Sequence, residues 1–334
     1  MTRKTIFNQD WLFAPEELPL DAPDDLFQKI SLPHTNQTFS HNNVDHLDYE
    51  FISTYRKWFD YDCADLEKLV FLDFDGVLLA CKVFLNGNFL YEHKDGFTPF
   101  SVDITSVLQT GKNKLTVYVD SRERDDIPPF GHLVDYLVFG GIYRDVYLRT
   151  VHPIHIQDLF VQTSQIFDHP EVICDVTLSN NSTQITLVAH LIDQDGNIIA
   201  ENQTILDGHL PRVKFSSLPE TNLWSLDHPN LYTVEVSLFK DDILLDTYFT
   251  HFGFRTCAFK PDGGFYLNGE RIKLFGLNRH QTYPYIGAAA PARLQRRDAE
   301  ILKYELGCNI VRTSHYPQSP HFLDRCDEIG LLVF

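Results

Sequence analysis

The sequence lacks long apolar runs and has no excess of basic residues. No stretch approaches the ~20 consecutive apolar residues of a membrane span, and residues 1–11 have no apolar core of the kind that a signal peptide carries. The 28 lysines and arginines are outnumbered by 46 aspartates and glutamates, so the net charge is −18 at pH 7. Because no basic stripe is visible, nucleic acid and anionic membranes are poor partners.

Cysteine is also sparse and irregularly spaced. The six cysteines are scattered over 334 residues without the CxxC spacing of a redox motif or a zinc site. This pattern predicts reduced, buried thiols in a cytoplasmic protein, and no metal site. The composition, with 43% hydrophobic and 22% charged residues, indicates a globular chain. The length predicts two or three domains.

The first part of the chain has the pattern of β-structure. Apolar and polar residues alternate with period two from residue 55 to residue 149, with turn signals between the segments. Asn86-Gly87, between Cys81–Leu85 and Phe89–His93, is the strongest short hairpin signal. Several short strands with turns between them predict a β-sandwich or jelly roll.

A second all-β unit follows Pro153. Its predicted strands include Val172–Leu178, Ile185–Leu191 and Leu231–Leu238, and Asp195-Gly196 marks a turn. About 100 residues with roughly seven strands fit an immunoglobulin-like sandwich.

Beyond residue 260 the pattern changes to alternating strands and helices. Strands are predicted at residues 272–276, 309–312 and 331–334, and helices at residues 293–306 and 320–329. Gly307 ends the first helix, and Ser319-Pro320 begins the second. This order predicts a parallel α/β arrangement, the opening of a (β/α) barrel. A complete barrel takes roughly 250 residues, so we expect only its first strands and helices within this chain.

Polar side chains follow two of these predicted strands directly. Ile310-Val311 runs into Arg312, Ser314, His315 and Tyr316, and the strand at residues 272–276 runs into an Asn-Arg-His sequence. In a barrel of this kind the chemistry lies at the carboxyl ends of the strands. We therefore expect these side chains to form part of a site at that end.

Several motifs together resemble those of glycoside hydrolase family 2, which contains β-galactosidases, β-glucuronidases and β-mannosidases. The motifs are Asp95–Phe100, Gly140–Val146, Gly276–His280, Val311–Pro317 and Cys326–Gly330. The resemblance implies a jelly-roll sugar-binding domain at residues 1–153, an immunoglobulin-like sandwich at 154–256 and the truncated opening of a (β/α)8 TIM barrel at 257–334. The Asn-Arg-His form favours the β-galactosidase branch.

The resemblance implies the N-terminal part of a retaining exo-β-glycosidase that hydrolyses terminal β-D-galactosides. Family members use two catalytic glutamates on later barrel strands, which we expect downstream of Phe334. The acidic residues near the end of this chain all fall on predicted helices rather than at strand ends: Asp298, Glu300, Glu305, Asp324, Asp327 and Glu328. We therefore expect residues 1–334 to lack both catalytic residues and to be inactive alone.

The substrate-binding residues implied by the resemblance lie within this chain. His280 contacts sugar hydroxyls, Arg312 lies beneath the nucleophile, and His315 lies beside it. A guanidinium in that position keeps a carboxylate ionised and oriented. Asp135 reaches the terminal sugar from the first domain and accepts hydrogen bonds from its hydroxyls. Asn278 belongs to the same set.

The loop around Asn278 departs from the family in one position. Asn278 and Arg279 are expected to brace this loop. Many members carry Glu after Asn-Arg-His, whereas this chain has Gln281. A role that needs a charge there is excluded, but a hydrogen-bonding role remains open.

Other readings stay open from the sequence alone. The sugar is a galactoside, a glucuronide or a mannoside, because the residues that read its substituents lie largely downstream. The partner is a small β-galactoside or an oligosaccharide, and the resemblance also implies a homo-oligomer. Mg²⁺ and Na⁺ are candidate ions for the full-length enzyme. A non-catalytic carbohydrate-binding or scaffold protein is the alternative from another class.

Overall fold

The structure is a computed structural model, and it describes residues 2–40, 45–62, 67–130, 134–180, 183–207, 211–261 and 263–334. The first ten strands form two antiparallel sheets, in the orders β3-β2-β4-β9-β6-β7 and β1-β10-β5-β8. Their bounds are β1 (Arg3–Ile6), β2 (Trp11–Ala14), β3 (Gln28–Ile30), β4 (Ile52–Tyr61), β5 (Leu69–Phe74), β6 (Ala80–Leu85), β7 (Asn88–Lys94), β8 (Phe100–Asp103), β9 (Gly111–Asp120) and β10 (Val146–Val151). Two short 3₁₀ turns accompany them, at Asp24–Leu26 and His46–Asp48.

The two sheets face each other as a sandwich. Alternate residues of β9 point inward, and Leu115, Val117 and Val119 are fully buried in a core that they share with Trp11 of their own sheet and Phe74 of the other. Burial of each large apolar side chain stabilises the fold by about 1.5–3 kcal/mol. The predicted hairpin is confirmed: Asn86 and Gly87 both have positive φ, as a two-residue turn matched to the strand twist requires.

The next seven strands form a second sandwich. One sheet has the order β11-β12-β15 and the other β14-β13-β16-β17. The bounds are β11 (Ile156–Ser164), β12 (Glu171–Leu178), β13 (Thr183–Ile192), β14 (Ile198–Asp207), β15 (Arg212–Phe215), β16 (Tyr232–Lys240) and β17 (Ile243–Phe252). Val172, Cys174 and Val176 alternate inward from β12 and pack on Leu187 and Val234 of the other sheet. The immunoglobulin-like arrangement is therefore confirmed.

The remaining chain begins with a small antiparallel sheet and continues as a parallel one. The small sheet contains β18 (Cys257–Phe259), β19 (Phe265–Leu267) and β20 (Glu270–Ile272). The parallel sheet contains β21 (Gly276–Asn278), β22 (Ile310–Arg312) and β23 (Leu332–Val333). Helix α1 (Ala292–Glu300), which continues as a π turn at Ile301–Glu305, and helix α2 (Pro320–Ile329) connect these strands.

Strand β21 starts later than the sequence pattern predicts. Residues 270–272 pair within the antiparallel hairpin, and the side chain of Asn309 holds the next segment by hydrogen bonds to Phe275 N (2.8 Å) and Lys273 O (2.9 Å). The parallel ladder therefore begins at Gly276, and Asn278 is its last residue rather than part of the following loop. Its apolar composition predicted a strand from residue 272, but here side-chain hydrogen bonds of Asn309 accompany backbone bonds from Asn309 and Ile310 to Phe275 O, and the regular ladder begins only at Gly276.

The helix ends agree closely with the signals in the sequence. Pro320 is the first residue of α2, and Gly330 ends it in the left-handed conformation with φ 73°. Ser319 occupies the N-cap position, although its side chain makes no capping hydrogen bond. No helix within the described residues is long and apolar enough to cross a membrane.

The cysteines behave only partly as predicted. Cys81, Cys174, Cys308 and Cys326 are buried and unpaired, as expected, but Cys257 is exposed on the edge of the small sheet. Cys63 lies outside the described residues.

The immunoglobulin-like unit holds the barrel opening at the end opposite to the strands' carboxyl ends. Trp224 is buried, contacts Leu332 of β23, and donates from its indole N–H to Asp327 O at 2.8 Å. Lys303 donates to Leu226 O and Gly330 O at 2.8 and 2.9 Å. We call these contacts the base seam.

Candidate functional site

Two parallel strands end side by side at the candidate site. Asn278 and Arg312 are register partners on β21 and β22, and the Arg279 N–H donates to Arg312 O at 2.9 Å. Val311 is fully buried among side chains of α1 and α2. Because neighbouring residues of a strand face opposite ways, Arg312 points away from the helices, and so does its partner Asn278. Both side chains are exposed on the face that forms a barrel interior.

Arg279 braces the end of β21 against both helices. Its buried guanidinium donates to Asp298 at 2.8 and 2.9 Å and to Gln295 at 2.7 Å, and it also donates to Gln318. The same group lies 4.1 Å from the ring centre of Phe322. This network fixes the backbone from which His280 projects. It also gives the Asp298 carboxylate a structural partner.

Four aromatic side chains meet just beyond the strand ends, and we call them the rim cluster: Tyr136, His280, His315 and Tyr316. The Tyr136 ring centre lies 5.5 Å from that of His280 and 5.6 Å from that of His315, and the two imidazole centres are 5.6 Å apart. His280 Nδ1 is 3.0 Å from the Tyr316 hydroxyl. Tyr136 comes from the first sandwich, so two domains build this cluster.

The environment of His280 favours the neutral imidazole. Burial lowers the pKa of His280 below its ordinary value, and the neighbouring His315 lowers it further. The charge of Asp135 acts in the opposite direction and raises the pKa of His280. A neutral imidazole both donates and accepts hydrogen bonds, as recognition of hydroxyl groups requires.

The remaining predicted residues are exposed at the same rim. His315 has a left-handed backbone conformation with φ 78°, which is uncommon for a residue other than glycine. Asp135 is exposed next to Tyr136. The structure thus brings Asp135, His280 and His315 to one rim, and it places Asn278 and Arg312 on the adjoining strand ends. Within the described ranges, no three His, Cys, Asp or Glu side chains are grouped as a metal ion would need.

Three family models match successive parts of the chain. The Glycosyl hydrolase 2 galactose-binding domain-like model matches residues 2–129, the Glycosyl hydrolases family 2 model matches 154–255, and the family 2 TIM barrel domain model matches 260–334. The chain belongs to glycosyl hydrolase family 2. Its architecture is that of a jelly-roll domain, an immunoglobulin-like sandwich and the start of a TIM barrel.

The similar proteins include enzymes of more than one specificity. A β-galactosidase from Thermoanaerobacter pseudethanolicus is 46% identical over 98% of this chain, and one from Thermoanaerobacterium thermosulfurigenes is 43% identical over 99%. A putative β-glucuronidase from Formosa agariphila is 32% identical over 99%. The chain covers 45%, 48% and 40% of these proteins respectively, so it spans less than half the length of each.

Solved structures of family 2 enzymes have the same fold. The crystal structure of a Bacteroides uniformis β-glucuronidase superposes with a TM-score of 0.89 at 29% identity, covering 100% of this chain and 42% of that one. A putative β-galactosidase from Bacteroides fragilis superposes with a TM-score of 0.86 at 26% identity, covering 99% and 52%.

In this family 2 chain, Gln281 lies behind the rim. Its side chain is 1% exposed, and its Oε1 accepts a hydrogen bond from Arg144 of the jelly-roll domain at 3.2 Å. The hydrogen-bonding role left open by the sequence is therefore realised inside the protein. Arg144 therefore hydrogen-bonds to a neutral amide at this position, where a glutamate would offer it a charged carboxylate.

The sequence did not point to Tyr136, Phe97 and Arg144 as neighbours of the site. Phe97 lies within one family motif and stacks on Tyr316, with ring centres 4.6 Å apart and planes inclined by 9°. Tyr136 follows Asp135 directly, which was the available signal. Asp145, the next residue, lies 2.8 Å from His321 Nε2, so the Gly140–Val146 motif also contacts α2.

Proposed function

We propose that this chain is the N-terminal part of a retaining exo-β-glycosidase that hydrolyses terminal β-D-galactosides. The observation that carries the proposal is the meeting of Asp135, His280 and His315 beside the strand ends that bear Asn278 and Arg312. An acid, two imidazoles, an amide and a guanidinium on one rim are suited to the hydroxyl groups of a sugar. The two β-galactosidases at 46% and 43% identity support the choice of sugar.

Each residue has a proposed role that fits its surroundings. Neutral His280 exchanges hydrogen bonds with sugar hydroxyls, and Asp135 accepts hydrogen bonds from the outer part of the same sugar. Arg312 keeps a catalytic carboxylate ionised and oriented, as a guanidinium does through charge-assisted hydrogen bonds. His315 and Asn278 complete the polar wall. In the retaining mechanism, two carboxyl groups about 5–5.5 Å apart act on the glycosidic bond.

We propose that those two carboxyl groups are glutamates downstream of Phe334. Three of the acidic residues near the end of this chain have structural partners: Asp298 pairs with Arg279, Glu300 with Arg325, and Glu328 with Arg296. Asp324 and Asp327 lie on α2, where burial raises the pKa of both carboxyls. Residues 1–334 alone are therefore expected to be inactive.

A β-glucuronidase is the second candidate. The Formosa agariphila relative at 32% identity and the Bacteroides uniformis structure carry that name. A β-mannosidase and a non-catalytic carbohydrate-binding protein remain as outcomes of the test below.

We also propose domain limits after residues 153 and 256, a homo-oligomer and a cytoplasmic location. The limits fall between β10 and β11 and between β17 and β18, where the sheets change. The scattered cysteines support the location. Light scattering on the full-length protein tests the assembly.

The function is tested by assaying residues 1–334 and the full-length protein on nitrophenyl β-galactoside, β-glucuronide and β-mannoside. We expect the full-length protein to cleave the galactoside and residues 1–334 to cleave none. If the full-length protein cleaves another glycoside instead, that glycoside replaces the galactoside as the proposed substrate. Activity in residues 1–334 overturns the downstream position of the catalytic residues, and inactivity of both favours a binding protein.

A further inference from the structure

Arg144 is a buried cation that spans two domains. It precedes β10 in the jelly-roll domain and is 5% exposed. Nη1 donates to the carbonyls of Asp75 and Phe97, both at 3.3 Å within the jelly roll. Nη2 donates to Gln281 Oε1 at 3.2 Å and to Pro317 O at 2.6 Å in the barrel opening. One planar guanidinium therefore joins two acceptors on each side.

All four of these acceptors are neutral. A buried charge is costly unless hydrogen bonds compensate it, so an arginine in this place is held in a narrow range of positions. The guanidinium presents its donors in a fixed planar fork, whereas a lysine ammonium is a point charge on a flexible stem. Through its hydrogen bonds to both sides, Arg144 therefore restricts the position of one domain relative to the other.

The two acceptors in the barrel opening adjoin the rim cluster. Gln281 follows His280, and Pro317 follows Tyr316 in the chain. The Tyr316 hydroxyl lies 3.0 Å from His280 Nδ1 and accepts from the Gln281 N–H at 3.4 Å. The loops that carry His280 and Tyr316 thus meet at Arg144 on one side and at the tyrosine hydroxyl on the other.

The jelly-roll side of the contact is tied to the same ring. Phe97, whose carbonyl accepts from Arg144, stacks its side chain on Tyr316 at 4.6 Å between ring centres. Phe97 therefore holds Arg144 through its backbone carbonyl and Tyr316 through its ring.

We propose that Arg144 is a positioning residue that holds His280 and Tyr316 in the geometry required for sugar binding. The proposal rests on the proposed function for its consequence in catalysis, but the positioning itself is a property of this chain. It assigns a task to the Gly140–Val146 motif, in which Arg144 lies.

The test compares Arg144→Met with Arg149→Met. Arg149 is a matched control, because it is also a jelly-roll arginine, but it pairs with Asp73 at 2.6 and 2.9 Å and, within the described part of the chain, has no contact with the rim cluster. The readout is the NMR titration of His280 in residues 1–334, assigned by the signal lost in His280→Gln.

We expect Arg144→Met to raise the pKa of His280 towards the ordinary value of 6.5, because the released loop exposes the ring to water. Arg149→Met lowers the melting temperature and leaves the His280 titration unchanged. In the full-length protein, Arg144→Met lowers kcat/KM by about 10²-fold, the effect of misplacing a binding group by an ångström. An unchanged His280 titration in a folded Arg144→Met variant overturns the proposal.

Two further variants keep the test decisive if Arg144→Met does not fold. Arg144→Lys keeps the charge but not the fork, so we expect a smaller shift in the same direction. Gln281→Glu keeps an acceptor for Arg144 and gives it a carboxylate partner, so we expect a melting temperature at least equal to that of wild type. A wild-type His280 titration in a folded Arg144→Lys variant overturns the proposal. Because the titration needs no substrate, it stands even if none of the three glycosides is cleaved.

Discussion

The barrel opening is held at two ends by two different kinds of contact. At the base seam, the Trp224 ring of the immunoglobulin-like unit packs on Leu332 and donates to Asp327 O, and Lys303 of the barrel opening donates to Leu226 O. At the other end, Arg144, Asp145 and Phe97 of the jelly roll contact Gln281, His321 and Tyr316; we call this the rim seam. The base seam is centred on a buried ring, whereas the rim seam includes the buried guanidinium of Arg144 and the Asp145–His321 pair.

This difference separates stability from function. The base seam buries a large ring, and removal of this ring is expected to lower the free energy of unfolding. The rim seam places titratable groups and aromatic rings against the candidate site, and changes there are expected to alter binding and pH dependence more than stability. Four variants sharpen or break this division.

Trp224→Ala has the largest expected effect on folding. The ring is 1% exposed and is covered by Arg255, whose guanidinium carbon lies 4.7 Å from the ring centre. We expect the free energy of unfolding of residues 1–334 to fall by roughly 3–5 kcal/mol in urea titrations. Trp224→Phe, which keeps an aromatic ring, is the control and is expected to lose less. A loss below about 1 kcal/mol for Trp224→Ala contradicts the division.

Arg312→Ala has the largest expected effect on activity. Its side chain is exposed, so the melting temperature should stay near that of wild type. In the full-length protein we expect kcat to fall by about 10²-fold or more, equivalent to about 2.7 kcal/mol of transition-state stabilisation. Arg293→Ala, an exposed arginine on the first turn of α1 rather than on a strand, is the control. An unchanged kcat in Arg312→Ala refutes the proposed role.

Asp135→Asn should affect substrate binding more than the chemical step. The exposed carboxylate is replaced by an amide of nearly the same shape, which weakens the acceptance of hydrogen bonds from sugar hydroxyls. We expect KM to rise about tenfold, or about 1.4 kcal/mol, with a smaller fall in kcat. Steady-state kinetics of the full-length enzyme measure both. Equal falls in kcat and kcat/KM would instead place Asp135 in transition-state stabilisation.

His321→Gln should remove a small, pH-dependent part of the stability. The hydrogen bond to Asp145 raises the pKa of His321, to which Asp324 and Asp75 also contribute. Burial opposes ionisation of Asp145, but hydrogen bonds from His321 and Asn8 outweigh it and keep the pKa of that carboxyl below its ordinary value. A raised histidine pKa stabilises the folded state fully below the ordinary value near 6.5, and this contribution is lost as pH rises through the folded-state pKa.

The measurement is the difference in melting temperature between wild type and His321→Gln from pH 5 to pH 9. We expect a difference equivalent to about 1 kcal/mol or less at pH 5 that shrinks as pH rises. At still lower pH, the contribution of Asp145 is lost as pH falls through its lowered pKa. A difference that grows between pH 6 and pH 9 contradicts the ion pair as the cause.

The sequence predicted local structure well wherever the signal was local. Asn86-Gly87 made the hairpin, and Pro320 and Gly330 delimit α2, because each of these residues restricts or frees its own backbone. The strand before Asn278 was misplaced because its position depends on Asn309, which is distant in the chain. No local pattern reveals that a distant side chain holds the segment before the strand.

By itself, the sequence determined the order of two sandwiches and a parallel α/β opening, the family, and the residues that end the barrel strands. Periodicity, turn chemistry and motif order carry that information because each acts over a few residues. Only the tertiary structure decided that Tyr136 joins His280 and His315, that Gln281 is buried against Arg144, and that His321 pairs with Asp145. These pairs are separated by more than 130 residues, and the packing of one domain on another brings them together.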